Sequence, residues 1–288
     1  MIIVITGPTG VGKTKMSVEL AKRINAEIIN GDSMQVYKEL DIATAKIKEE
    51  EKENITHHLF DIVDKTYNYS VYDYQRDCRE KINEIQSRGK NIIIVGGTGL
   101  YIKAALYNYN FNKEENIYDF SGMDDNEILD KIKEYDPNTN IHVNNRKRLE
   151  RELTKIMNNT TSLGKGNEIL YPFTIIGLTT GRSELYERIN NRVDKMVEDG
   201  LIIEAKSLYD ANIHSKAINT GIGYKELYKY FDGEITLDAA LDLIKKNSRH
   251  YAKRQYTFFN NQFNMNWFNV NYNDFSKTID EVYNFIMR

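Results

Sequence analysis

The sequence predicts an α/β fold: a parallel sheet flanked by helices, with a small helical insertion. Three observations predict it. Short apolar runs rich in β-branched residues recur along the chain, each followed by a turn and a helix-compatible segment. That alternation is what a parallel sheet produces. The first run opens directly into a glycine-rich turn, and between 112 and 168 the strand signal gives way to apolar residues at helical spacing.

Taken in order, Ile2 to Ile5 is a continuous apolar run suited to a strand buried on both faces. A helical stretch from about Lys13 to Ile24 follows, with Met16, Val18, Leu20, Ala21 and Ile24 apolar. Ile28-Ile29 is a second strand, Ile92 to Val95 a third closed by Gly96-Gly97, and Phe173 to Leu178 a fourth. In the insertion, Ile128, Leu129 and Ile132, then Leu149, Leu153 and Ile156, mark helices. A structureless loop of that length is uncommon inside a compact domain. After Gly181 the chain reads as helical, with a candidate short edge strand around Trp267-Phe268. The expected organisation is a catalytic core over 1–111 and 169–288 and an insertion over 112–168.

With 288 residues and 41% hydrophobic content, the chain can bury a sizeable core. Its single cysteine, Cys78, excludes a disulfide framework or a cysteine zinc cluster within the chain and suits a reducing compartment. Met1 to Ile5 runs straight into Gly7 without a basic segment or cleavage site. No stretch approaches the ~18 apolar residues of a membrane helix. A cytoplasmic protein without membrane contact, working as a monomer, is expected. The net charge of −3 offers polyanions no general attraction, so any such binding must rest on local clusters.

Gly7-Pro8-Thr9-Gly10-Val11-Gly12-Lys13-Thr14 matches the phosphate-binding pattern G-x4-G-K-[ST], with a strand before it and a helix after it. This makes the expected sheet P-loop NTPase-like. The glycines let backbone N–H groups turn inward onto phosphate oxygens, and the helix N-terminus adds a favourable dipole. Lys13 adds positive charge, and the Thr14 hydroxyl is the candidate Mg²⁺ ligand. The motif specifies a di- or triphosphate but not which one.

Asp32 follows the second strand, at the carboxyl edge where ligands sit in open parallel sheets. There it could ligate Mg²⁺, take a proton from an acceptor, or simply cap a turn. Gln35 carries the donor and acceptor that can read an adenine edge. Two basic clusters stand out. Lys245, Lys246, Arg249, His250, Lys253 and Arg254 interleave with Tyr251, Tyr256 and Phe258, while Arg146, Lys147, Arg148, Arg151 and Lys155 close the insertion. Such stripes suit a folded RNA, or else are solvated helix faces balanced by Glu150 and Glu152.

The run Asp32-Ser33-Met34-Gln35-Val36-Tyr37 with Leu40-Asp41-Ile42-Ala43-Thr44-Ala45-Lys46 resembles the signature of bacterial tRNA dimethylallyltransferases. So do His57-His58-Leu59-Phe60-Asp61-Ile62, Gly96-Gly97-Thr98-Gly99-Leu100-Tyr101-Ile102, Ile222-Gly223-Tyr224-Lys225-Glu226 and Arg249-His250-Tyr251-Ala252-Lys253-Arg254-Gln255. These segments stand in the family's order from Gly7 to about Gln255.

The resemblance implies transfer of a dimethylallyl group from dimethylallyl diphosphate to N6 of the tRNA adenosine 3′-adjacent to the anticodon. It makes Asp32 the general base and sets Thr98 beside the reacting centre. It assigns the diphosphate to the loop from Gly7 to Thr14 and to Arg192. It assigns tRNA contact to Asp32, Ser33, Met34, Gln35 and Thr98, and to Lys147, Arg148, Leu149, Glu150 and Arg151; Arg249 and Lys253 join them from the other basic cluster. His57 and His58 are candidate substrate contacts or buried partners of the core, the structural reading being preferred. The sequence departs from the family at His142-Val143-Asn144-Asn145, where Val143 and Asn145 replace a proline and an acid, and at Thr220, where a longer polar side chain is common. Competing readings are a P-loop small-molecule kinase, a prenyltransferase acting on free adenylate, and a nucleotide-switched RNA-binding module.

Overall fold

Runs of isoleucine and valine leave water only if their backbone groups find partners, and here they find them side by side. The structure is a computed structural model that describes residues 1–111, 118–158, 166 and 168–288. Its strands are β1 (Ile2–Thr6), β2 (Ala26–Asn30), β3 (His57–His58), β4 (Asn91–Val95), β5 (Thr174–Thr179) and β6 (Asn266–Asn269). They form one sheet in the order β3-β2-β4-β1-β5-β6, and every pairing is parallel. β1 and β2 are buried along their whole length. Ile3 is in register with Ile93 on one side and Thr174 on the other. The turns that follow β1, β2, β4 and β5 therefore emerge along one edge.

One strand meets expectation and another departs from it. β6 pairs with β5 through Trp267 and Phe268, where the sequence offered a candidate edge strand. β3 was not anticipated: it is two histidines long, too short for any alternation to show. His58 Nε2 lies 2.6 Å from Glu27 Oε2, and Glu27, 3% exposed, also meets Arg88 and Lys90.

Between the strands run α1 (Lys13–Ile24), α2 (Glu49–Lys52), α3 (Val71–Ser87) and α4 (Gly99–Leu106). α5 (Asp125–Tyr135) and α6 (Arg146–Met157) follow. After β5 come α7 (Arg182–Glu198), α8 (Leu201–Asp210), α9 (Lys216–Thr220), α10 (Tyr224–Phe231), α11 (Leu237–Gln262) and finally α12 (Phe275–Ile286). Ser70 starts α3 by accepting from Asp73 N while Asp73 reaches back to Ser70 N. The main core joins Met16, Leu20 and Ala21 of α1 to Ile3 and Ile5 of β1 and to Ile279 and Val282 of α12.

The chain divides into two compact units, Met1–Leu106 with Tyr171–Arg288, and Tyr107–Leu170. The second unit is wider at both ends than the expected 112–168, and the expected boundary at 112 lies outside the described residues. Asn108 N donates to Glu168 O at its neck. Its own core gathers Phe120, Ile128, Ile132, Ile141, Leu149, Leu153 and Ile156, the helical stripes read from the sequence. Arg146 staples this unit: it donates to Glu150, Asp125 and the carbonyls of Met123 and Phe120. Among the described residues no helix is long and apolar enough to cross a membrane.

Candidate active site

The loop after β1 is built by close approach. Gly7 has φ 142°, and a Cβ there would stand 2.5 Å from Leu178 O. Gly12, with φ 101°, opens α1 without a side-chain cap, so the first N–H groups of the helix stay free for a ligand. The loop is anchored from distant parts of the chain. Thr9 N donates to Gln255 Oε1 (3.0 Å), and Arg188 Nε donates to Gly10 O (3.2 Å). Lys13 Nζ donates to the carbonyls of Gly7 (3.0 Å) and Pro8 (2.9 Å). Thr9, Gly10, Gly12, Lys13 and Thr14 border a cavity of 530 Å³. Gly7, Pro8 and Val11 do not. Pro8 has no N–H to offer, and the Val11 side chain is fully buried in the core, so these three shape the loop instead of lining the site.

Asp32 is held by its own turn. Asn30, fully buried, accepts from Asp32 N (2.9 Å) and donates to Asp32 O and Leu59 O (3.0 Å each). Asp32 Oδ1 accepts from Met34 N (2.8 Å). The Thr98 hydroxyl accepts from Ser33 N (3.0 Å) and donates to Ser33 Oγ (3.2 Å), while Thr98 N donates to Gly31 O (3.1 Å). The turns after β2 and β4 are thereby locked together. A Cβ at Gly97 would stand 1.9 Å from Gln255 Nε2, and one at Gly99 2.2 Å from Phe258, so α11 fits against this turn only because both are glycines. Gln255 Nε2 donates to Gly97 O (3.2 Å), which makes this one side chain a tie between the phosphate loop and the β4 turn.

Asp32 and Arg192 border both the large cavity and a second, 270 Å³ cavity that takes in Met34, Ile189, Val193, Met196, Leu201 and Ile222. Burial raises the Asp32 carboxyl above the usual range, against the pull of the Met34 N–H, Lys13 and Arg192. Burial lowers Lys13, and the Arg192 guanidinium lowers it further; Asp32 only partly offsets them, and it falls to about 7. Burial likewise lowers Arg192. Two recessed cations and one carboxylate sharing a cavity form a site short of negative charge, and an anion such as diphosphate supplies it. The Thr14 hydroxyl opens on the same cavity, and no group of three or more His, Cys, Asp or Glu gathers to hold a metal among the described residues. This donor set fits Mg²⁺ brought in with phosphate oxygens, which needs one or two protein ligands, and does not fit an all-protein cage.

Positions 35–262 match the family model described as IPP transferase. The chain belongs to the IPP transferase family. It is 47% identical over 285 residues to a Bacillus licheniformis protein named tRNA dimethylallyltransferase, spanning 93% of this chain and 90% of that one. The crystal structure of a full-length tRNA isopentenylpyrophosphate transferase from Bacillus halodurans superposes with a TM-score of 0.78 at 44% identity, over 99% of this chain and 95% of that one. A eukaryotic dimethylallyltransferase solved acting on tRNA superposes with a TM-score of 0.80 at 29% identity, over 93% of this chain and 73% of the other.

The other candidates sort by exposure. Ser33 and Met34 border the smaller cavity. Gln35 borders the larger one, but its amide nitrogen is engaged with Thr44 O (3.0 Å) and Ala45 O (3.3 Å); the free donor expected for an adenine edge is committed to the backbone. On α6, Lys147, Arg148 and Arg151 are exposed and form no ion pair among the described residues. Leu149 is corrected: at 0% exposure its side chain holds the insertion together and cannot meet RNA. Glu150 pairs with Arg146. On α11, Lys253 is exposed, whereas Arg249 donates to Asn190 (2.6 Å).

Two departures from the family pattern also acquire a physical account. Asn145 caps α6 by accepting from Arg148 N (3.3 Å), a task an aspartate performs equally well. Thr220 donates to Lys216 O and borders the smaller cavity. His58 serves the core, as expected, while His57 stacks edge-on to Phe60 and borders the large cavity. Tyr251 was missed by sequence reasoning. It borders both cavities; burial and then the nearby Asp32 carboxylate raise its pKa, which keeps the phenol protonated.

Proposed function

We infer that this protein transfers a dimethylallyl group from dimethylallyl diphosphate to N6 of the tRNA adenosine 3′-adjacent to the anticodon, giving N6-(dimethylallyl)adenosine and diphosphate. It does so as a cytoplasmic monomer. The observation that carries the reading is the placing of Asp32 at the junction of two cavities. One is lined by Lys13, Arg192 and the phosphate loop, the other by apolar side chains such as Met34, Ile189, Val193 and Met196 mixed with polar ones. Its relatives are named for this activity.

In this reading the diphosphate lies in the loop from Thr9 to Thr14, against the uncapped N–H groups that open α1, with Lys13 and Arg192 compensating the charge that grows on the departing oxygen. The Thr14 hydroxyl would hold a Mg²⁺ ion, which would help neutralise the charge of that leaving group. The N6 lone pair forms the new bond to C1 of the dimethylallyl group. The C1–O bond breaks with its electron pair going to diphosphate, and the N6 proton passes to Asp32. An adenine amine is a weak nucleophile, so a carboxylate raised by burial is a suitable acceptor. Thr98 borders neither of the two cavities itself; fixed to the Ser33 backbone, it holds the turn that carries Asp32. A stacked adenine exposes no N6, so the nucleotide must leave its stack to enter. Phosphate contacts from Lys147, Arg148, Arg151, Arg249 and Lys253 hold the RNA.

The deciding experiment incubates the protein with labelled dimethylallyl diphosphate, Mg²⁺ and either total tRNA or AMP. Label in tRNA alone is the expected result. Label in AMP moves the assignment to free nucleotides, and absence of transfer with phosphate passing from ATP to a small acceptor moves it to a kinase.

A further inference from the structure

Glu204, near the start of α8, does something no other carboxylate does among the described residues. Its two oxygens accept from three consecutive backbone N–H groups: Asp41 (3.0 Å), Ile42 (2.7 Å) and Ala43 (3.1 Å). A fourth bond comes from the Tyr224 hydroxyl (2.7 Å) at the start of α10. The turn it grips closes on itself through Ala45 N to Ile42 O and Lys46 N to Asp41 O.

That turn is a wall of the site. Ala43 borders the smaller cavity, Ala45 the larger, and Thr44 both. Its far side is tied to the Asp32 turn by Gln35, which donates to the carbonyls of Thr44 and Ala45. Behind it, Gly223 leaves no slack: a Cβ there would stand 3.0 Å from Ala43 Cβ. A run of N–H groups pointing the same way is a concave anion seat, and a carboxylate filling it makes charge-assisted bonds that resist displacement. Within the turn Thr44 donates to Leu40 O (2.7 Å) and Asp41 O (3.2 Å), and Glu204 adds the grip from outside it.

We propose that Glu204 is a positioning residue that fixes the 41–45 wall and thereby limits the length of prenyl chain the donor site admits. The proposal rests on the reading of the donor as dimethylallyl diphosphate. The wall borders both cavities, so its position bounds the room left beside the diphosphate for the prenyl tail. In Glu204→Gln the amide offers one accepting oxygen and turns a donor toward the remaining N–H, so part of the seat is lost while volume is kept.

The test measures kcat/KM for dimethylallyl and geranyl diphosphate with tRNA as acceptor, for the wild type, Glu204→Gln and Tyr224→Phe. The expected result is a preference for the shorter donor that falls ~10-fold or more in Glu204→Gln, the scale of one lost buried hydrogen bond. A smaller shift in the same direction is expected in Tyr224→Phe, which removes one bond of the four and serves alone should the first variant not fold. Equal losses for both donors would mean that Glu204 only supports the fold, and an unchanged preference would mean that the wall is set elsewhere; either overturns the proposal. Wild-type transfer to tRNA in the same assay tests the donor reading separately.

Discussion

Asp32 and Lys13 are pushed in opposite directions by the same burial, and each answers to the other's charge. If Asp32 takes the N6 proton, Asp32→Ala should lower prenyl transfer at least ~100-fold, the usual scale for a lost general base. tRNA affinity should stay near normal, and near-normal turnover would remove Asp32 from this role. Lys13 makes a second prediction with a definite sign. In the free protein it titrates at about 7, so at pH 8 it is mostly neutral. A bound diphosphate favours the charged form and moves the pKa back toward the ordinary lysine value. Binding at pH 8 should therefore take up close to one proton. Calorimetry in two buffers of different ionisation enthalpy reads this directly, and identical heats in both would refute it. Lys13 was legible in the sequence because its motif is contiguous. Tyr251 and Gln255 were not: Gln255 reaches the loop from 246 positions away, and only the folded sheet brings them together.

Elements were legible wherever they were long enough to show a period. The stripes of α5 and α6 are plain in the sequence because one face of each builds a core of its own. β3 was invisible because two residues have no period, and its place beside β2 depends on a charge cluster instead. Burial pushes the Glu27 carboxyl up, yet the bonds from Lys90, His58 and Arg88 outweigh it and hold the pKa at about 2. A carboxylate depressed in this way contributes stability above its ordinary value near 4.5 and loses that contribution as the pH falls toward 2. Glu27→Gln should thus destabilise the protein by about 1–3 kcal/mol at pH 7, since it leaves the cations without a charged acceptor. Urea unfolding of both proteins should show the gap closing below pH 4.5. A gap that stays constant down to the acid limit would mean that the loss comes from packing and not from the charge.

At the scale of the whole molecule, a net charge of −3 sets a strict condition on RNA binding. Affinity must come from the few cations whose charge is not already spent inside the protein. Sequence clustering alone could not separate these from the rest; the contacts do. Arg146 is consumed by four bonds within its own unit, and Lys245 pairs with Asp194. Arg148 and Arg151 on α6 and Lys253 on α11 are exposed and form no ion pair among the described residues. If these three meet phosphates, replacing any one by alanine should weaken every cognate tRNA alike. It should also flatten the slope of log K against log salt by about 0.7 to 0.9 per contact, because fewer counterions are released. Arg146→Ala should leave that slope in place and instead loosen the insertion. Gln35→Ala should reduce prenyl transfer without changing the slope, because its amide braces the 41–45 wall. Salt titrations of the wild type and these five variants distinguish the cases. Wild-type slopes in Arg148→Ala, Arg151→Ala and Lys253→Ala would show that the exposed cations are solvated helix faces, and tRNA would then have to dock elsewhere on the surface.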